Sequence, residues 1–185
     1  MNIIETIQRN LGHGPIRKVD PNTQEVDDKS QTHGNPALAQ AAIPTVLLGI
    51  FNFLEKDPRP DWLTGGQQTG YLLDKIFGRL KQPVIEKVMV YSSMGEKNTV
   101  AEMEHIAAES VRVVYDQIID PENESRIEAY VAQHKPDVLL FLPASMQLGA
   151  LLGNSSLDDR THKMDGPVSG LMHRLEKQFN SSENT

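Results

Sequence analysis

Residues 35–54 read NPALAQAAIPTVLLGIFNFL, and the fold turns on this stretch. Leu38, Ile43, Val46, Leu47, Leu48, Ile50, Phe51, Phe53 and Leu54 leave no clean polar stripe at helical spacing, which predicts a helix with protein on every side. Asn35 can accept from a first-turn N–H, and Pro36 sits where a missing N–H costs nothing, so the helix starts near Pro36. Pro44 removes a donor and crowds the carbonyl four residues earlier, so a kink or break is expected there. The length also suits a membrane span of about 20 apolar residues. Gln40, Thr45 and Asn52 interrupt the run and its surroundings are acidic, so it reads as a buried central helix.

Upstream, Ile3, Ile4, Ile7 and Leu11 share a helical face, with Asn2 and Glu5 at capping-box spacing and Gly12 as the stop. From 13 to 34 the chain is polar, lacks aromatics and has no period, which predicts a mobile, poorly packed arm. Downstream, breakers crowd 55–70, with Trp62 expected to anchor that loop. Leu72, Leu73, Ile76, Phe77 and Leu80 form the next stripe. Pro83 then opens a helix carrying Val84, Ile85, Val88 and Met89, with Gly95 as its stop. Thr99 and Glu102 form a capping box before the stripe Val100, Met103, Ala107, Val111, Val114 and Ile118. Asp120 and Pro121 are expected to open the helix bearing Ile127, Tyr130 and Val131, which ends between His134 and Pro136. Residues 137–153, DVLLFLPASMQLGALLG, form a second stretch apolar all round, broken by Pro143 and stopped by Gly153. Val168, Leu171, Met172, Leu175 and Phe179 mark a last amphipathic helix.

The fold class is therefore all-α: a compact bundle of about seven helices, two of them buried and proline-kinked. The division expected is 1–35 as short helix and mobile arm, 36–179 as one helical domain and 180–185 as a frayed tail. The alternative is an α/β fold whose parallel sheet uses VIEKVMVY, VRVVYDQII and DVLLFLPAS. No turn residue separates Val100 from Ile119, so a strand at Val111 would have to grow from a helix without a connection, and the all-α reading prevails.

The chain has 185 residues, enough for one domain with a core of its own. It contains no cysteine, which excludes disulfides, thiolate catalysis and cysteine-ligated zinc. The first residues, MNIIETIQRN, lack the basic and apolar regions of a secretory signal, so the cytoplasm is the expected compartment. A net charge of −7 without a Lys/Arg cluster speaks against nucleic acid and anionic lipid as partners. The sequence leaves the oligomeric state open.

AAIPTVLLGI at 41–50 and FLPASMQLGAL at 141–151 share an order: apolar residue, proline, small residue, leucine, glycine. At these residues, over 36–153, the chain resembles the YidB-like bacterial proteins, an all-helical family without an established reaction. The resemblance implies an all-helical fold and assigns no catalytic residue. The Gly- and Gln-rich spacers and the Asp-rich tail of that family are absent here.

Glu102 and His105 have the i, i+3 spacing of helical di-iron ligands, but a site of that kind needs a second Glu-x-x-His, and none occurs. Asp158, Asp159, Asp165 and Gly166 invite calcium, but the spacing is wrong for an EF-hand and no closing glutamate follows. Ser169 before Gly170 lacks the glycine that a nucleophile elbow requires. GGQQTG at 65–70 lacks a phosphate loop's lysine and reads as a hinge. His13, His33, His105, His134, His162 and His173 show no ligand spacing. No catalytic, cofactor or metal residue is assigned on this reading. The expected function is that of a non-enzymatic soluble helical module that binds a protein partner. Two alternatives stand beside it. One is a metal-dependent hydrolase drawing on Glu102, His105, Asp158 and Asp159, and the other is a peripheral membrane protein that inserts its apolar helices.

Overall fold

A computed structural model describes residues 2–20, 26, 35–64, 71–118, 120, 123–149 and 152. The fold is all-α, and no strand occurs among the described residues, so the parallel-sheet alternative finds no support in them. The helices are α1 (Ile3–Asn10), α2 (Asn35–Leu54), α3 (Asp61–Thr64), α4 (Leu72–Phe77), α5 (Lys81–Ser92), α6 (Glu96–Gln117) and α7 (Glu124–Leu139). Short 3-10 turns lie at Gly78–Leu80 and Ala144–Met146.

α2 is the axis of the molecule. α1, α4, α5, α6 and α7 all pack against it, and every residue from Ala37 to Phe51 is buried. It runs through Pro44 as one helix. The missing N–H deprives the Gln40 carbonyl of its helical partner, and Thr45 Oγ1 donates to the Ala41 carbonyl at 2.6 Å just beyond it. An interior proline costs about 3 kcal/mol. Burying a single large aliphatic side chain returns roughly 1.5–3 kcal/mol, and Ile43, Val46, Leu47 and Leu48 are all at 0% exposure, so packing holds the helix together across the defect. At Gly49 the backbone approaches α4 so closely that a Cβ would stand 2.4 Å from Phe77 Cε1, which explains a glycine inside this helix.

The second apolar stretch does not form the buried, proline-kinked helix expected of it. α7 runs through Pro136 to Leu139, turns at 140–142, and passes through Pro143 with extended backbone (φ −63°, ψ 129°) into the Ala144–Met146 turn. A residue preceding proline is disfavoured in the helical region, and the segment instead packs its Ala144–Met146 turn against α5. The proline–leucine–glycine pattern shared by 41–50 and 141–151 therefore takes two different conformations, helical at Pro44 and extended at Pro143.

Other boundaries shift for local reasons. α6 begins at Glu96 behind Gly95, one turn before the Thr99–Glu102 box, and the Thr99 hydroxyl donates back to the Gly95 carbonyl at 3.1 Å. Gly95 starts a helix rather than ending one; α5 stops at Ser93, which takes the left-handed conformation (φ 56°). α7 is capped by Asn123, whose side chain accepts from Ser125 N at 3.1 Å, whereas Asp120 lies outside it in a positive-φ turn. The Trp62 ring meets Phe53 of α2 edge to face at 5.2 Å between centroids, as an anchor should. α4 has no cap on its own N-terminal side. Glu104 of α6 supplies one, accepting from Leu72 N at 3.0 Å and Leu73 N at 3.4 Å.

The expectation of a loosely packed arm is corrected over residues 13–20. Ile16 is buried against the core, and Val19 N donates to the Leu140 carbonyl at 2.8 Å. Most of 21–34, the 65–70 hinge and the expected helix over Val168–Phe179 lie outside the described residues.

Candidate functional site

The α5 stripe buries Val84, Ile85 and Val88 against α2 and α6, and leaves the opposite face of the helix to solvent. Val90 lies two residues beyond Val88, off that stripe, and is 81% exposed. The 3-10 turn Ala144–Met146 packs alongside α5. Between them opens a cleft of about 450 Å³ lined by Pro83, Glu86, Lys87, Val90, Tyr91, Ser145 and Met146. Met146 is 2% exposed and forms the floor; Val90 and Pro83 give apolar walls, while Glu86 and Lys87 bring one charge of each sign. Such a surface can hold apolar side chains and fix their direction by charge. The signal for Val90 was present in the sequence as an apolar residue outside the helical period. Ser145 and Met146 had no such signal, because they were assigned to a buried helix.

The residues considered for chemistry fall elsewhere. Glu102 on α6 faces His13, with Oε1 3.0 Å from a buried Nε2 that lies off the line of a hydrogen bond. His105, three residues on, is exposed. Asp158, Asp159 and Asp165 lie outside the described residues, as do Ser169, Gly170, His33, His162 and His173. Among the described residues no group of three His, Asp or Glu side chains is placed to hold a metal ion.

Two polar clusters on α6 and α7 have structural explanations. The Tyr130 hydroxyl donates to Gln117 Oε1 at 2.9 Å, and its ring packs against His134 at 4.3 Å and Phe51 at 6.2 Å between centroids. Burial pushes the Tyr130 phenol well above its ordinary range. Burial likewise holds the His134 imidazole below its usual value, although Asp137 pulls the other way. For Glu109, burial alone would raise the carboxyl. The hydrogen bonds from Arg112 and Asn10, with the charge of Arg112, outweigh burial and leave it lowered. The Asn10 bond ties α1 to α6 at 2.6 Å.

α2 is long and apolar enough to cross a membrane, with a mean hydropathy of 1.8, but 89% of that window is buried within the protein. The chain matches no family model, no curated protein and no solved structure.

Proposed function

We propose that the chain is a non-enzymatic helical module, acting in the cytoplasm, that binds a protein partner at the cleft between α5 and the Ala144–Met146 turn. The observation that carries this reading is Val90, an aliphatic side chain 81% exposed on a helix that otherwise buries its aliphatic residues, beside a cleft with an apolar floor. An exposed valine alone is ordinary; one that walls a recess is a contact in waiting. The partner offers an apolar side chain to Met146 and Val90, and charges opposite to Glu86 and Lys87. No cofactor enters this reading. The insertion alternative is less favoured, because swinging α2 into lipid would first empty the core of its axis.

Photo-crosslinking in cells that express the chain tests the proposal. A benzophenone amino acid at position 90 or 86 should give one discrete adduct, the same from both positions and suppressed by Lys87→Glu. The control positions Lys97 and Arg126, both exposed on other helices, should not give it. Equal adducts from all four positions, or none from 90 and 86, would overturn the reading.

A further inference from the structure

On α5, Pro83, Glu86, Lys87 and Val90 stand three and four residues apart, so they share one face of the helix, and all four line the cleft that Met146 floors. This face carries both a projection and a recess. Val90 is 81% exposed and Met146 only 2%. Between the two ends of the face, Glu86 is exposed and Lys87 half-buried. Neither takes part in the ion pairs that tie neighbouring elements of the described surface, such as Lys81 with Asp74 and Lys135 with Glu55. One charge of each sign is therefore left for a partner, side by side.

A face of this kind is complementary to itself. When a second α5 lies antiparallel across the first, with the two-fold axis passing between Glu86 and Lys87, each glutamate meets the other copy's lysine. The same register sets each Val90 against the other copy's Pro83, at the cleft. An in-register parallel pairing would instead oppose Glu86 with Glu86 and Lys87 with Lys87. We infer that the partner held at this cleft is a second copy of the chain, in a two-fold dimer built on antiparallel α5 helices. The inference rests on the reading of the cleft as a protein-binding surface, and it names the occupant. An unlike partner would have to supply an apolar residue and two charges from another sequence, whereas this chain already presents all three at the spacing required.

Sedimentation velocity on the full-length chain tests the inference, with charge exchange as the deciding step. The wild-type chain should sediment as monomer and dimer in concentration-dependent exchange. Glu86→Lys gives the face two cations and Lys87→Glu gives it two anions, so each variant alone should dimerise at least about tenfold more weakly. An equimolar mixture of the two variants should recover the dimer, because every cation then faces an anion across the axis. The chain carrying both substitutions should recover it as well. Far-UV circular dichroism checks that each variant keeps its helices. A wild-type chain that stays monomeric across the micromolar range, folded variants that dimerise as wild type does, or a mixture no better than its components would overturn the inference. Photo-crosslinking from position 90 separates that failure from failure of the cleft reading. An adduct of twice the chain mass supports the dimer. A discrete adduct of any other mass overturns the dimer and leaves the cleft as a docking surface, and no adduct overturns both.

Discussion

Replacing Gln40 by leucine is the most searching single perturbation of this fold, because an apolar side chain of similar bulk takes its place while all three of its hydrogen bonds go. Arg17 N–H, the Arg17 carbonyl and the Phe141 carbonyl would each lose a partner. A buried polar group left unpaired costs about 1–3 kcal/mol. The Phe141 bond is fully buried and should cost near the middle of that range, whereas the Arg17 groups lie partly open to water. Burying leucine instead of glutamine returns part of this, so the net loss is about 2–4 kcal/mol. For a chain of this size each kcal/mol lowers the melting temperature by roughly 2–4 °C, which places the expected drop at roughly 5–15 °C. Circular dichroism melts and urea titrations measure it. Hydrogen exchange should show the amides of Arg17 and Val19 losing protection first. A melting temperature within about 2 °C of wild type, with those amides still protected, would refute the assignment of Gln40 as the clasp.

Further outcomes follow from other contacts. Gly49→Ala forces a Cβ to 2.4 Å from Phe77 Cε1 and 2.8 Å from Ile76 Cγ2, and should destabilise by about 1–3 kcal/mol in urea. In a Phe77→Ala background the penalty should shrink but not vanish, because the 2.8 Å approach to Ile76 Cγ2 remains, and an unchanged penalty there would exclude the Phe77 contact as its main cause. Glu104→Ala removes the charged cap from α4 and should cost about 1–2 kcal/mol, with amide exchange at Leu72 and Leu73 rising more than in α5. The His134 imidazole and the Glu109 carboxyl are both held below their usual values, so the unfolded chain binds more protons than the folded one in acid. Stability should therefore fall as the pH drops below 6.5 for His134 and again below 4.5 for Glu109, and His134→Asn should flatten the first step in urea midpoints taken against pH.

How much of this was legible in the sequence depended on whether a residue's role was local. α2 declared itself through apolar residues on every side, and α1 through three isoleucines on one face behind Asn2, whose side chain does accept from Ile4 N at 3.0 Å. The stripe from Met103 to Val114 likewise predicted the buried face of α6. The misread elements were those fixed by distant partners. Hydrophobicity says that 137–149 is covered but not whether its backbone is helical, and the outcome was set by Pro143 and by packing against α5. Residues 13–20 looked idle because groups that hold them, among them Gln8, Glu102, the Leu140 carbonyl and Gln40, lie outside the segment, and Gln40 in sequence signified only an interruption of an apolar run. The cleft was half visible, as Val90 out of period, and half hidden in a turn no pattern marked.

The central claim is that α2 is a rod enclosed by the chain's own helices, and amide hydrogen exchange on the full-length protein in plain buffer tests it most directly. The account predicts that the amides from Val46 to Leu54 are the slowest in the molecule and exchange only through global unfolding. Rapid exchange across that stretch while α5 and α6 stay protected would contradict it, as would protection that arises only when lipid or detergent is added.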